Sequence, residues 1–564
     1  MSVSPKQNMR VGKKNYPPFQ DPIWHNSLVY SPLHQSVKMT HKSSLDNRGR
    51  MPTLNSCPAC EQVGRSKEIS SSSLQPSERK RGSFTEPRFH FSAKHQRVTA
   101  DRVQVIHGLP FFPLSSPRPP LIHISWQIWR EFGPKSATHP PPMLDIRAIR
   151  ENPDAIKERL STRHDGSADL IDEVLACDES RRKAETEKQQ LQSQRKQTSK
   201  EIGALRANGE DSSAIEAEVK KIGEQIKTLD ESGATAEARQ TELLLSIPNL
   251  PHDACPVGAD EESNPEIRTW GSKPEIADPQ DHVELSNAHG LISFEDGTRI
   301  SGSGFAVYRG AGAKLQRALI QFLLDTQSNE HGYEEVNVPL LVKRECMFGT
   351  TQLPKFEDDM YGTDNGELFL APTAEVPVTN LYRETILAED QLPIKMTAHT
   401  ACFRREAGSA GRDNKGIIRM HQFDKVELVQ IAHPDKSFDL LEELTGHAEA
   451  ILKKLGLHYR LIELCSGDLG FGSTKTYDIE VWAPGQDKYL EVSSCSCFGD
   501  YQARRMKLRF KDSDGKNIFC HTLNGSGTAL PRLLVAVLEQ YQQPDRSIKI
   551  PEALVPYFGA AEIK

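Results

Sequence analysis

Cys402-Phe-Arg-Arg-Glu-Ala-Gly408 and Ile418-Arg-Met-His-Gln-Phe-Asp-Lys-Val-Glu427 are two short strand-like pieces joined by a charged, Gly-containing loop. Paired as an antiparallel hairpin, they offer Arg404, Phe423 and two carboxylates, Glu406 and Glu427, to one concave site. Arginine presents forked donors suited to phosphate, and an aromatic ring can stack on a base. The set suits a phosphorylated, ring-bearing ligand beside a small polar one. An ordinary charged surface hairpin has the same look, so the rest of the chain must decide.

Further strand signals lie at 333–338, 368–370, 398–403, 419–429, 476–481 and 489–492, several joined by short turns. They predict an antiparallel sheet, and hence an α+β body rather than a doubly wound parallel one. A helix over 313–330 carries apolar residues at Leu315, Leu319, Phe322 and Leu323. A second helix follows over 533–540. No Gly-x-x-x-x-Gly-Lys-Ser/Thr loop is present, so a nucleotide must be held in another way.

At 564 residues the chain exceeds one core, and two or three domains are expected. The net charge of -7 is uneven: residues 1–142 hold 20 Lys and Arg against 8 Asp and Glu, and the remainder is strongly acidic. Nucleic-acid binding, if any, must therefore be local. Ten scattered cysteines suit a reducing compartment. No apolar run reaches membrane-spanning length, and the polar start Met1–Arg10 is no secretory signal, so a cytoplasmic enzyme is expected.

Three regions are expected. Residues 1–142, rich in Ser, Pro, Arg and His, bury too little apolar area to offset ordering entropy. They read as a disordered extension, a transit segment, or upstream sequence attached by a mis-assigned start, because Met143-Leu-Asp-Ile-Arg147 opens a coherent helical domain. Cys57-Pro-Ala-Cys60 has metal-knuckle spacing without a second pair nearby. Residues 143–250 are helical, with a break at Asn208–Ser213 where Asp211, Ser212 and Ser213 can cap the second helix. That helix has a seam at Ile215, Val219, Ile222, Ile226, Leu229, Gly233, Ala236, Gln240, Leu243 and Ile247. The first has one at Leu170, Cys177, Ala184, Leu191, Thr198 and Leu205. Facing seams make an antiparallel coiled-coil arm on the order of 50 Å long, with no room for a pocket. Its Lys183, Lys188, Arg195, Lys196, Lys200, Lys220, Lys221 and Lys227 form either a solvated mixed-charge face or a basic edge for a phosphate backbone. Residues 251–564 form the body.

Four more segments join the hairpin there. Thr373-Ala-Glu375 offers a hydroxyl and a carboxylate. Tyr489-Leu-Glu-Val-Ser-Ser494 places Glu491 and Ser493 on one strand face. Asn524-Gly-Ser-Gly527 reads as a tight turn, and Arg532 lies at the start of the helix beyond it. With these residues in view the chain resembles the bacterial-type seryl-tRNA synthetases, class II aminoacyl-tRNA synthetases. The class motifs match in order: the helix leading to Gly332-Tyr-Glu-Glu-Val-Asn-Val-Pro339, the hairpin with Phe403-Arg404-x-Glu406, and Gly525-Ser-Gly527 through Arg532. The Thr-Ala-Glu loop, Gln352-Leu-Pro-Lys-Phe356 and the arm match as well.

The resemblance implies a class II antiparallel catalytic sheet flanked by helices. It implies activation of L-serine with ATP and Mg²⁺, transfer to serine tRNA (also selenocysteine tRNA where present), a homodimer, and no zinc. It assigns ATP to Arg404, Arg405, Glu406, Met420, Phe423, Glu491, Val492, Ser493, Ser494 and Arg532. Arg404 would contact the α-phosphate and the serine carboxylate, Glu406 the adenine amino group, Phe423 the ring, and Arg532 the γ-phosphate. Glu491 and Ser494 would hold Mg²⁺. Thr373, Ala374, Glu375, Arg404, Glu427, Asn524 and Ser526 would surround serine. Arg404, Glu491 and Arg532 are the catalytic set. Arg412 and Lys415 in the hairpin loop become candidates for tRNA backbone contacts. Thr351 stands where the family commonly has Gly, and Gly304 where it commonly has Arg. Two other readings remain: a synthetase-like ligase acting on a carrier protein, which would lack the arm, and a non-catalytic coiled-coil RNA-binding protein, which would not need Arg404, Glu491 and Arg532 together.

Overall fold

The computed structural model describes residues 144–407 and 415–564. The expectations for 1–142, including Cys57 and Cys60, and for Arg412 lie outside the described residues. Two long helices, α1 (Leu170–Asn208) and α2 (Ser213–Ser246), form the arm. Gly209 in the left-handed region (φ 74°) ends α1, a conformation that needs no Cβ there. The Asp211 carboxylate accepts from the Ser213 backbone N–H at 3.0 Å, while Ser212 turns its hydroxyl to Glu216. Every expected seam residue in both helices is buried or half-buried. The facing is direct, because a Cβ on Gly233 would meet the Ala184 Cβ at 3.6 Å. The seam is thin toward the tip, where only Thr198, Ile222 and Ile226 are fully buried.

The root of the arm is anchored. Leu144, Ile149, Ile156, Leu160, Ile171, Val174, Leu243 to Leu245 and Ile247 pack with Phe471 and Tyr501 of the body in one apolar cluster. The buried Arg163 guanidinium donates to the carbonyls of Asn249 (2.8 Å), Leu469 (3.0 Å), Gly470 (3.3 Å) and Ser473 (2.7 Å). Burial lowers its pKa to about 10, still far enough above neutrality to keep the charge. An uncompensated buried cation is costly, and these carbonyls are its compensation.

The body is built on an eight-stranded sheet. In chain order its strands and packing helices are β1 (Glu266–Trp270), α3 (Gly310–Glu330), β2 (Glu334–Glu335), β3 (Ile394–Phe403), β4 (Gln422–Ala432), α4 (Ser437–Lys454), β5 (Tyr459–Glu463), β6 (Lys475–Ala483), β7 (Lys488–Cys497), α5 (Tyr501–Met506), β8 (His521–Ala529) and α6 (Leu530–Gln540). The spatial order is β1-β5-β6-β7-β8-β4-β3-β2, antiparallel throughout except for the β2–β3 pair. Leu315, Leu319, Phe322 and Leu323 of α3, Leu441 and Leu444 of α4, and Leu533, Leu534 and Val537 of α6 share one core with Leu428, Leu461, Ile479, Val481 and Val492 of the strands. The α+β expectation and the class II sheet hold.

One local expectation fails. Asn524-Gly-Ser-Gly527 is no turn; it lies inside β8, paired to β7 and β4. Its glycines are there for packing. A Cβ on Gly525 would stand 2.3 Å from Leu444 Cδ2 and 3.0 Å from Cys495 Sγ. Glycine runs signal turns only when nothing else must approach the backbone closely.

Candidate active site

The hairpin forms as expected, with Phe423 opposite Cys402 and Gln422 opposite Phe403. Arg404 leaves the end of β3; its guanidinium donates to the Pro372 carbonyl at 3.2 Å and lies 5.2 Å from the Phe423 ring centroid. A cation held over a ring and bonded to a carbonyl is preset rather than searching for its ligand. Glu406 takes a left-handed backbone (φ 51°) and pairs with Arg419. Asp359 fixes this turn by accepting from the backbone N–H of Arg405 at 2.8 Å and of Ala407 at 2.9 Å. Beside it a cavity of about 440 Å³ is lined by Phe294, Phe305, Glu406, Arg419, Met420 and His421 among others. Arg405 itself is exposed, its guanidinium 5.4 Å from the Tyr361 ring centroid, and the Met420 side chain is buried.

Glu427 faces a second, buried group. Its carboxylate accepts from the Thr373 hydroxyl at 3.0 Å and the Asn524 amide at 3.4 Å, and pairs with Lys425. The Ser526 backbone lies opposite Glu427 across β8. Glu375 is buried beside them and accepts from the Gln502 amide at 2.7 Å. Burial, then the charge of Glu427, raises its pKa to about 7, against the pull of Gln502, Lys425 and Arg404. Ala374 is buried next to it. All the expected amino-acid residues therefore meet in one place.

The third cluster is on β7. Arg532 donates to the Glu491 carbonyl at 2.7 Å and to its carboxylate at 3.2 Å. A bulge alters the strand's alternation: Ile479 pairs with Ser493 but Glu480 pairs with Glu491, leaving Val492 as the extra residue. Glu491 and Ser494 are consequently both half-exposed, while Val492 and Ser493 are buried. The expectation that Glu491 and Ser493 share a face fails for this reason. Ser493 donates instead to the Ser526 carbonyl at 2.6 Å and joins the strands. Opposite Ser494 sits Asp478, with a buried Oδ1 that has no hydrogen-bond partner; burial and the nearby Glu491 charge raise its pKa.

Sequence reasoning missed Lys425, Asp478, Gln502 and Arg419. Lys425 could have been found, since it alternates with Phe423 and Glu427 along β4. Asp478 and Gln502 come from other elements and carried no local signal. The two departures noted in the sequence have structural counterparts. Thr351 holds φ 74°, a left-handed backbone. Gly304 holds φ 79°, and a Cβ there would stand 2.2 Å from His421 Cδ2. Cys495 and Cys497 are buried, and desolvation raises their thiols to about 12 and about 11, as for inert packing cysteines. No described helix is long and apolar enough to cross a membrane.

Residues 143–251 match the family described as the seryl-tRNA synthetase N-terminal domain, and residues 355–541 match the class II tRNA synthetase core domain (G, H, P, S and T). The serine–tRNA ligase of Akkermansia muciniphila is 70% identical over 418 residues, covering 74% of this chain and 98% of that protein. That of Magnetococcus marinus is 51% identical over 430 residues, covering 75% of this chain and 100% of the relative. The seryl-tRNA synthetase of Pyrococcus horikoshii, solved with ATP, superposes with a TM-score of 0.71 at 36% identity over 74% of this chain and 99% of its own. With its arm, its class II sheet and these relatives, the chain belongs to the seryl-tRNA synthetase family.

Proposed function

We propose that this enzyme, a serine–tRNA ligase, binds ATP along Arg404, Arg405, Glu406, Met420, Phe423, Val492, Ser493 and Arg532 and serine among Thr373, Ala374, Glu375, Glu427, Asn524 and Ser526. The observation that carries the reading is the pair of buried carboxylates, Glu375 and Glu427, that interact with each other, with Arg404 close enough to act on the charge of Glu375. Two carboxylates beside a cation complement a small zwitterion: the ammonium goes to the acids, the carboxylate to the arginine. The Thr373 hydroxyl and the Asn524 amide add polar partners for a side-chain hydroxyl. A pocket of this kind rejects alanine, because its own polar groups would be left unpaired.

In the first step a serine carboxylate oxygen bonds to the α-phosphorus and the bond to pyrophosphate breaks. In the second, a tRNA ribose hydroxyl attacks the seryl carbonyl and AMP leaves. Neither step needs a protein nucleophile, so positioning and charge neutralisation supply the acceleration. Arg404 and Arg532 are the cations for this work. Glu491 and Ser494, brought to one open side by the bulge, fit Mg²⁺, and the unpartnered Asp478 Oδ1 behind them is a further oxygen donor. Bound there, Mg²⁺ would neutralise triphosphate charge. Val492 and Ser493 can contribute through their backbone only, as their side chains are buried.

The arm carries the tRNA reading. Lys183, Arg195, Lys196, Lys200, Lys220 and Lys221 are exposed, and none forms an ion pair among the described residues. Lys188 is instead committed to Glu185 and Asp230 (3.2 Å for the latter), and Lys227 to Glu231. The uncommitted cations suit the backbone of a long variable arm, in serine tRNA and, where present, selenocysteine tRNA. A homodimer is supported by exposed apolar side chains on the body, Leu340, Leu341, Leu381, Ile386 and Ile518 among them. The reading places the enzyme in the cytoplasm and residues 1–142 outside the catalytic unit.

Serine-dependent ATP–pyrophosphate exchange followed by charging of serine tRNA is the test. Exchange with another amino acid and none with serine would overturn the pocket assignment. A chain beginning at Met143 should retain both activities; loss of either would give the first 142 residues a role.

A further inference from the structure

We propose that Gln502, its amide locked by Thr522, is a positioning residue that fixes where the Glu375 carboxylate points and so sets the affinity for the amino-acid substrate. The inference rests on the reading of Thr373, Glu375 and Glu427 as the amino-acid pocket.

Gln502 lies on the six-residue α5, outside the class motifs. It is 1% exposed, and so is Thr522, which stands on β8 four residues before Ser526. The Gln502 Nε2 donates to Glu375 Oε1 at 2.7 Å, and the Gln502 Oε1 accepts from the Thr522 hydroxyl at 2.8 Å. The two ends of a glutamine amide have almost the same shape, so packing alone does not choose between them. Here the choice is made twice. The carboxylate demands the N–H end, and the threonine hydroxyl satisfies the carbonyl end. Without that hydroxyl the amide either keeps a buried, unpaired carbonyl or turns away from Glu375, and both are unfavourable.

The consequence falls on Glu375. The charged groups facing it are Glu427 and Lys425 on β4 and Arg404 at the end of β3. Burial and Glu427 favour its protonated form, while the Gln502 donor is the first of the influences favouring ionisation. A Glu375 that has lost this donor holds its proton to higher pH. A neutral acid no longer pairs with a substrate ammonium.

The test is Thr522→Val, which removes the hydroxyl and keeps the shape, with Thr522→Ala as a second removal and Thr522→Ser as the conservative rescue. In pyrophosphate exchange, Val and Ala should raise the KM for serine roughly tenfold, leave the KM for ATP within about twofold, and shift the acid limb of the kcat/KM profile for serine upward. Ser should restore both. An unchanged serine KM in folded Val and Ala variants, an unmoved acid limb, or an equal defect in the Ser variant would overturn the proposal. Glu375→Gln separates this failure from failure of the pocket: if it leaves the serine KM untouched the pocket reading falls, and if it raises the KM while Thr522→Val does not, only the positioning role falls.

Discussion

The Tyr501 hydroxyl donates to the Ile247 carbonyl at 2.6 Å, joining the residue that ends the second arm helix to the short helix that carries Gln502. Tyr501 is fully buried, and its ring packs in the cluster at the arm's root. The arm's base and the wall of the proposed amino-acid pocket are thus adjacent residues of one chain segment. Tyr501→Phe keeps the ring and leaves the Ile247 carbonyl without this donor, so it should lower unfolding free energy by about 1–2 kcal/mol. A denaturant midpoint equal to that of the parent would show that the bond contributes nothing.

Arg404→Ala should abolish exchange while the fold remains, because the side chain is half-exposed and its contacts are a cation–ring approach to Phe423 and one hydrogen bond to the Pro372 carbonyl. A loss of at least about a hundredfold is expected for a preorganised cation at a developing charge. Far-UV circular dichroism would establish the fold, and parental exchange rates would remove Arg404 from the chemistry.

Removing the arm should separate the two half-reactions. The cut must spare the root, since Ile171, Val174 and Leu243 belong to a core shared with the body. Replacing residues 186–231 with a short Gly/Ser turn should leave exchange intact and abolish charging of serine tRNA. Undiminished charging would refute the arm's role.

Thr351 is a β-branched residue at φ 74°, a conformation that costs an L-residue roughly 1–2 kcal/mol. Thr351→Gly relieves this and loses a small amount of buried methyl and chain stiffness, so a net gain of about 0.5 kcal/mol is expected. The thermal midpoint should rise; a fall would mean that the Thr351 contacts outweigh its backbone.

Glu375 also links stability to pH. Its folded pKa, near 7, is above the ordinary carboxylate value, so the native state holds a proton that the unfolded state has already released. Stability from this group is full below about pH 4.5 and is lost as pH rises through 7. Glu375→Gln should flatten that part of the stability–pH curve, which urea titrations at pH 5 and 8 would measure.

The sequence disclosed what has local periodicity. The arm's seams were legible because Ile222, Ile226 and Leu243 recur at helical spacing, and the hairpin because polar and apolar residues cluster at its two ends. What it concealed was non-local. The bulge at Val492 follows from pairing with β6, and nothing in Tyr489–Ser494 alone distinguishes Ser493 from Ser494 as the partner of Glu491. The Gly525 and Gly527 pair reads as a turn until Leu444 and Cys495 are seen packed against it. Gln502 reaches Glu375 across 127 residues of chain, beyond any motif.

The antiparallel arm has a consequence for how such a chain can change over generations. A single residue added to α1 would rotate everything beyond it by about 100° and turn Ala184, Leu191 and Thr198 away from their partners on α2. Only additions or deletions of seven residues, made in both helices at matching heights, keep the two faces in register. The reach of the arm can therefore drift only in steps of about 10 Å, each requiring two coordinated events, while the loop between its helices need keep only the stop at Gly209 and the cap at Asp211.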